Sequence, residues 1–350
     1  MINKKVIIFI GDLRSGGAER VVSIISKGFL QEFKEIEIIL YYDRPIFYNL
    51  DKNIKVRLIE RETKSRNILK NMLWLRRNVN KEDIFLSFLA PFNIVAIVSL
   101  FFKKKIIVAD RNDPRFDPPN PIKRFIRDIL YNFAEKVVCQ TESNKIYFNK
   151  NIQRKTSIIY NPIYLSEKIE NALKEKKENI IVSVGRLSKQ KNQILLIDSF
   201  KKILEYFPDY KLIIYGEGEE RLSLENYIKK LSLKKNILLP GAFKDVHTRI
   251  KKAKIFIMTS DYEGMPNALL EAMSLGLPCI STKVSGAVDL IENYKNGVLT
   301  DRNPNEISNE IIKILNDESY AYSLGKEANK LYYKLNEKEI INQWIDLLKK

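Results

Sequence analysis

Histidine and cysteine, the residues behind most thiol, zinc and triad chemistry, are nearly missing from this chain of 350 residues, which has one His and two Cys. Cys139 and Cys279 stand in the apolar contexts Val-Val-Cys-Gln and Pro-Cys-Ile-Ser, the pattern of packed thiols in a reducing compartment rather than of a disulfide framework. His247 alone leaves a Ser-His-Asp triad one candidate and a Cys/His zinc site almost none. Within Asp-Val-His247-Thr-Arg it is expected as an exposed loop residue. No Asp-x-Asp occurs, which removes the usual carboxylate clamp for a metal-bound nucleotide. Chemistry without a metal or a cofactor is expected.

Long apolar runs are also scarce. Val6–Ile10, after Met-Ile-Asn-Lys-Lys, is too short for the apolar region of a signal peptide and no small-residue cleavage site follows, so a cytoplasmic chain is expected. Ile84 to Phe102 has the length of a membrane span, but Pro91 and Asn93 fall at its middle. The better expectation is a buried strand over 84–89, a turn at Pro91 and a helix over 93–102, ahead of Lys103-Lys104-Lys105. There is no short-period repeat and no low-complexity tract.

What is present is a folding composition, 45% hydrophobic and 29% charged. At roughly 100–200 residues per domain, the length suggests two domains with substantial cores. The 60 Lys and Arg exceed the 43 Asp and Glu, a net charge of +17. Most of the excess lies early: residues 1–165 hold 30 basic and 17 acidic side chains, net +13, and residues 166–350 hold 30 and 26, net +4. A basic N-terminal half points to nucleic acid, acidic lipid or a phosphorylated substrate.

Short β-branched runs at 5–10, 36–42, 54–59, 84–88, 106–109, 136–139 and 157–160 form one series of strand candidates. A second runs through 180–184, 211–215, 236–239, 254–258, 278–281 and 297–299, with helical patterns between, such as 18–30, 192–206, 219–231, 266–275 and 305–315. Strands spaced by helices imply right-handed βαβ units and parallel sheets, hence an α/β chain of two doubly wound domains. The boundary is expected near Asn161-Pro162-Ile163, with the Lys- and Glu-rich stretch 167–179 as a solvated helix or linker. Ile340, Ile341, Trp344, Leu347 and Leu348 make one helical face. A ligand is expected at the C-terminal strand edges, in a cleft between domains.

Four segments at strand ends could carry chemistry. Gly11-Asp-Leu-Arg-Ser-Gly16-Gly17-Ala-Glu-Arg leads from the first strand into a helix whose N-terminus favours anions. Its G-x4-G-G spacing fails the dinucleotide fingerprint, and a tight turn without a ligand is the plain alternative. Gly185-Arg186-Leu-Ser-Lys189-Gln-Lys191-Asn192 places cations where they can neutralise a diphosphate in place of a metal. Tyr215-Gly216-Glu-Gly218 is a turn able to hold a flat base, followed by Pro240-Gly241-Ala-Phe243 and Ser285-Gly286-Ala-Val-Asp289. The fourth is Glu263-Gly264-Met265-Pro266-Asn267-Ala-Leu-Leu-Glu271. Pro266 suits a helix start and Gly276 its end, with Asn267 and Glu271 on one face. The two glutamates bracket amides that could meet phosphate or sugar hydroxyls. Equally, Glu263 could be a helix-dipole charge and Glu271 a surface residue.

Together, Gly16-Gly17-Ala-Glu-Arg, Gly185-Arg186…Lys191-Asn192, Gly216-x-Gly218 and Glu263-x7-Glu271 within E-G-M-P-N-A-L-L-E-A-M resemble the retaining family 4 glycosyltransferases, the glycosyl transferases group 1, of bacterial surface-polysaccharide type. The resemblance spans nearly the whole chain. It implies the GT-B fold, two Rossmann-like domains facing across a cleft: an acceptor-binding domain over 1–163, joined by helix 337–350 crossing back, and a nucleotide-sugar-binding domain over 164–336. It further implies that Arg186 and Lys191 bind the donor diphosphate, Glu271 the ribose and Glu263 the donor sugar near the reacting carbon. Gly216, Gly218 and Phe243 would receive the base, Gly264, Met265, Pro266 and Asn267 would line the donor, and Gly16 and Gly17 would close over the diphosphate. The donor would be an NDP-sugar, with UDP expected. One departure stands out. Many relatives have a histidine where this chain reads Ala109-Asp110-Arg111-Asn112, so Arg111 is a candidate sugar or phosphate contact or else a surface arginine.

The basic half has its own candidates. Residues 64–81 and 122–131 mix aliphatic and basic positions at helical spacing. Such helices can lie on an anionic bilayer, or they can bury their apolar faces and leave the charges solvated. A polyprenyl-diphosphate-linked or polysaccharide acceptor at the inner membrane face fits the first, and a motif for nucleic acid is missing. The expected activity is retaining transfer of a hexose or N-acetylhexosamine. The alternatives are an NDP-sugar epimerase of the same fold and a basic nucleic-acid-binding protein.

Overall fold

The computed structural model describes residues 2–14, 16–101, 106–163, 165, 173, 175–243 and 245–349. Lys103–Lys105 and much of the stretch 167–179 lie outside the described residues. The chain divides into two compact units, Met1–Pro162 with Asn336–Lys350, and Ile163–Leu335.

In the first unit the strands are β1 (Ile2–Ile10), β2 (Phe33–Leu40), β3 (Lys55–Leu58), β4 (Ile84–Phe88), β5 (Ile106–Ala109), β6 (Lys136–Cys139) and β7 (Thr156–Ile158). They form one parallel sheet in the order β3-β2-β1-β4-β5-β6-β7. The second unit has β8 (Ile180–Val184), β9 (Lys211–Tyr215), β10 (Ile237–Gly241), β11 (Ile255–Met258), β12 (Cys279–Thr282) and β13 (Val298–Thr300), in the parallel order β10-β9-β8-β11-β12-β13. Val6–Ile10 and Ile255–Met258 are buried along their whole length. That is the signature of central strands covered by helices on both faces. Strand order reverses between β1 and β4 and again between β8 and β11, and ligands of such sheets bind outside the carboxyl ends of the strands at those reversals. The glycine segment follows β1, the Arg186–Asn192 segment follows β8 and the Glu263 segment follows β11.

The helix Glu337–Lys349 belongs to the first unit, where it packs on the helix Gly17–Phe29. Its face Ile340, Trp344, Leu347 and Leu348 is buried, and the Trp344 ring lies 5.7 Å from that of Phe88. After β4 the helix Ala90–Leu100 starts earlier than expected, with Pro91 inside its first turn. A proline fits there because the first N–H groups of a helix need no internal acceptor. Asn93 lies in that helix, as expected, and donates from Nδ2 to the Ala109 carbonyl (3.1 Å) and the Tyr131 hydroxyl (2.7 Å). Among the described residues, no helix is long and apolar enough to cross a membrane.

The helix Pro121–Leu130 is inverted. Its one buried side chain is Arg127, which donates to the Pro114 carbonyl (2.9 Å) and to Asp128 (2.8 Å). Ile122 and Phe125 are 67% and 65% exposed, and Ile126 and Ile129 face outward too. The alternative in which this helix buries its apolar face therefore does not hold.

A buried polar chain runs beneath it. Asn93 donates to Tyr131, which donates to Asp110 Oδ2 at 3.2 Å. Burial pushes the Asp110 carboxyl up to about 7, only partly countered by the charge of Arg127. The folded protein therefore holds this proton after the unfolded chain has released it, so stability declines as pH rises from about 4 to about 7. The whole decline is at most about 4 kcal/mol. The melting temperature of the wild-type chain is expected to fall more between pH 5 and pH 8 than that of Asp110→Asn. Parallel profiles would contradict the assignment.

Candidate functional site

Two turns of the second unit hold Arg186, Lys191 and Glu263. One leaves β8 and the other leaves β11, and because these strands are neighbours the turns emerge side by side. Asn192 joins them. It adopts the left-handed conformation (φ 45°), a state that asparagine tolerates better than most residues. From there its Oδ1 caps the helix Gln193–Ile203 and its Nδ2 donates to Asp261 Oδ1 at 3.0 Å. Gln190 adds two bonds, accepting from the Asp261 amide and donating to the Tyr262 carbonyl, both 2.8 Å. Thr259 donates to the carbonyls of Lys191 (3.2 Å) and Asn192 (3.0 Å).

This latch delivers Lys191 to Glu263, Nζ to Oε1 at 2.5 Å, with both side chains largely withdrawn from solvent. Removing either partner would strand the other charge in a poorly solvated place. Arg186, on the same turn, is exposed. The turn thus offers an anion one exposed guanidinium and one ammonium already held in position. Next to them is a carboxylate able to accept from hydroxyl groups.

Glu263 leads through Gly264-Met265-Pro266 into the helix Asn267–Ser274. Pro266 stands just before that helix rather than in it. Gly286 makes room for the segment: a Cβ there would lie 2.2 Å from the Gly264 carbonyl oxygen, so any larger residue would push the helix Ser285–Leu290 off it. Glu271, one turn beyond Asn267, is buried and sits with Oε2 2.8 Å from Nε2 of His247. His247 is 4% exposed, which corrects the expectation of an exposed loop residue. The short helix Val246–Ile250 turns it toward the helix Asn267–Ser274. Nothing in Asp-Val-His-Thr-Arg signals this, because the partner lies 24 residues away.

Gly216 and Gly218 belong to the β9 exit, which is knitted to its neighbours: Gly185 N donates to Tyr215 O, Leu187 N to Glu217 O and Gly216 N to Gly241 O, each 2.9 Å. Gly216 has φ +151°, and a Cβ on it would fall 1.9 Å from the Gly185 carbonyl oxygen. The glycine is therefore needed to stack this turn on the Arg186 turn, whatever else it contacts. Phe243, partly exposed after β10, meets Tyr215 edge-on (6.0 Å between ring centres) and carries the Arg249 guanidinium 4.0 Å over its face.

In the first unit Gly16 caps the helix Gly17–Phe29, and Gly17 is exposed. The Tyr48 hydroxyl donates to the Gly16 carbonyl (2.8 Å) and accepts from its amide (3.2 Å). Sequence reading missed this tyrosine, since no local pattern marks it. Arg111 is neither exposed nor unengaged. It is buried, with its guanidinium donating to Asn161 Oδ1 and to the Ile159 carbonyl. The surface-arginine reading gives way to a buried side chain that secures the exit of β7.

Comparison with known proteins bears on the family and the fold. Residues 166–331 match the family described as Glycosyl transferases group 1. Over 98% of both chains, the protein is 28% identical to a Campylobacter jejuni enzyme, the GalNAc-alpha-(1->4)-GalNAc-alpha-(1->3)-diNAcBac-PP-undecaprenol alpha-1,4-N-acetyl-D-galactosaminyltransferase. It is 24% identical, over 99% of both chains, to the amylovoran biosynthesis glycosyltransferase AmsD of Erwinia amylovora. The fold is that of Anabaena Alr3699/HepE, solved with UDP and glucose, at a TM-score of 0.82 and 19% identity over 99% of this chain and 100% of that one. The chain is a glycosyltransferase with the GT-B fold, and its residues 166–331 match the glycosyl transferases group 1 family.

Proposed function

We propose that this glycosyltransferase is a retaining enzyme. It moves a hexose or N-acetylhexosamine from a UDP-sugar to a polyprenyl-diphosphate-linked or surface-polysaccharide acceptor at the inner membrane face. The observation that carries the donor half is the Lys191–Glu263 contact at the β8/β11 reversal, with Arg186 on the same turn and Glu271 one helical turn past Asn267. UDP as carrier is supported by the UDP complex of the Anabaena neighbour, and a lipid-diphosphate acceptor by the name of the Campylobacter relative.

In this reading the anomeric C1–O bond to the β-phosphate breaks, and the diphosphate leaves with its electron pair. Arg186 and Lys191 neutralise the charge that develops, the task a metal performs elsewhere. The acceptor hydroxyl oxygen bonds to C1 from the face the diphosphate leaves, and its proton passes to a departing phosphate oxygen. As Lys191 turns to the diphosphate it releases the Glu263 carboxylate to accept from donor sugar hydroxyls. Glu263 binds the sugar and is not the nucleophile. Glu271 accepts from the ribose, the Gly216–Gly218 turn and Phe243 meet the base, and Gly264–Asn267 line the sugar and phosphates. Gly16 and Gly17 are further candidate contacts for the donor. Arg111 stays a candidate sugar or phosphate contact, held by its bonds to Asn161 and the Ile159 carbonyl.

The membrane half rests on the inverted helix. Ile122, Phe125, Ile126 and Ile129 face outward with Lys123 among them. On the helix Ile68–Asn78, Ile68, Leu69 and Leu73 are exposed alongside Lys70 and Arg77. Both helices pack against Ala90–Leu100. Apolar side chains interleaved with cations suit an anionic lipid surface, each cation near it contributing about 1 kcal/mol.

With a panel of UDP-sugars and a polyprenyl-diphosphate-linked acceptor, mass spectrometry is expected to show one sugar added to the lipid. Arg186→Ala or Glu263→Gln is expected to lower kcat about 100-fold or more. Unchanged transfer in these variants would refute the site, and UDP release with no sugar on any acceptor would favour epimerisation. Binding to anionic vesicles is expected to weaken with salt and to drop about tenfold in Phe125→Asp. Equal binding to neutral vesicles would refute the lipid surface.

A further inference from the structure

His247 is the chain's one histidine, and the transfer reaction described above does not use it. Its burial needs a reason, because an imidazole withdrawn from water loses solvation at both nitrogens. One nitrogen is satisfied: Nε2 lies 2.8 Å from Glu271 Oε2. A carboxylate oxygen only accepts, so the hydrogen sits on Nε2 and the ring is the donor. Among the described residues, the other nitrogen, Nδ1, is buried without a hydrogen-bond partner. Among the described residues the ring thus makes one hydrogen bond, with the carboxylate of Glu271.

The same short helix, Val246–Ile250, sends Arg249 the other way. Arg249 lies 4.0 Å over the Phe243 ring and donates from Nε to Asp245 Oδ1 at 3.2 Å. One turn of helix therefore touches both the aromatic ring proposed to meet the base and the carboxylate proposed to meet the ribose. A glutamate has three side-chain torsions, and holding it still before the ligand arrives removes an ordering cost from binding. A single bond to Oε2 does that without exhausting the carboxylate, which has about four acceptor sites.

We propose that His247 is a positioning residue for the nucleotide: its Nε2–H holds the Glu271 carboxylate in the orientation that accepts from the ribose hydroxyls. The proposal rests on the donor reading above. It places the effect of His247 in donor affinity and not in the bond-breaking step, since Glu271 lies at the nucleoside end of the donor. It also separates two side chains of equal reach. Gln places its Nε2 close to the position of the imidazole Nε2 and keeps a donor, whereas Leu fills the space and offers none.

The test uses the untagged full-length chain, with UDP and 2′,3′-dideoxy-UDP as titrants in calorimetry and a UDP-sugar in steady-state kinetics. His247→Leu is expected to weaken UDP and to raise the donor KM about tenfold, the worth of one buried hydrogen bond. Its kcat is expected to stay within twofold, and His247→Gln to recover most of the loss. Because the ligand without ribose hydroxyls gives Glu271 nothing to hold, its Kd is expected to be the same in all three proteins. The single histidine also gives one set of ring NMR signals, expected to shift with UDP and not with the dideoxy compound. Equal losses for both ligands, a fall in kcat at unchanged KM, or a lowered melting temperature with unchanged UDP affinity would overturn the role. If the wild-type chain bound no nucleoside diphosphate at all, the donor reading itself would fail, a result distinct from any of these.

Discussion

The docking of one strand-end turn on another is the constraint from which the candidate site follows. The Lys189–Asn192 turn and the Thr259–Glu263 turn are tied by bonds from Gln190, Asn192 and Thr259. Without them Lys191 and Glu263 would be two separate charges at two sheet edges. With them a cation and an anion are held 2.5 Å apart beside an exposed arginine. The arrangement is poised: the pair is neutral as a whole, yet an anionic ligand can draw the lysine and release the glutamate. It arises from the topology, because β8 and β11 are adjacent only through the reversal of strand order in that sheet.

A second constraint is how the neighbouring turns reach the same edge. Gly216 lies against the Gly185 carbonyl and Gly286 against that of Gly264. Both glycines serve backbone approach first, and any ligand contact is built on that packing. The reading of Gly216-x-Gly218 as a turn fitted to a flat base is thereby sharpened: the turn must first stack on the Arg186 turn.

Much of the fold was legible in the chain because its signals are local. The short β-branched runs at 84–88, 106–109, 136–139, 180–184 and 211–215 become strands with those same bounds. Pro266 and Gly276 bracket the helix Asn267–Ser274 as capping chemistry requires. Periodicity around Ile340 and Trp344 found the C-terminal helix, although not its place on the first unit, which the resemblance supplied. What stayed hidden depends on distant partners. His247 meets Glu271 across 24 residues, and Arg111 meets Asn161 across 50. The pattern Ile122-Lys-Arg-Phe-Ile-Arg127 shows an amphipathic helix but not which face turns inward; Arg127 faces in because carbonyls of the preceding loop await it.

The central claim is that Lys191 exchanges Glu263 for the donor diphosphate. A crystal structure of the chain with an unreactive UDP-sugar analogue tests it most directly. The account predicts Lys191 Nζ within hydrogen-bond distance of a phosphate oxygen and Glu263 within the same distance of a sugar hydroxyl. An intact Lys191–Glu263 pair, with the diphosphate bound away from both Lys191 and Arg186, would contradict it.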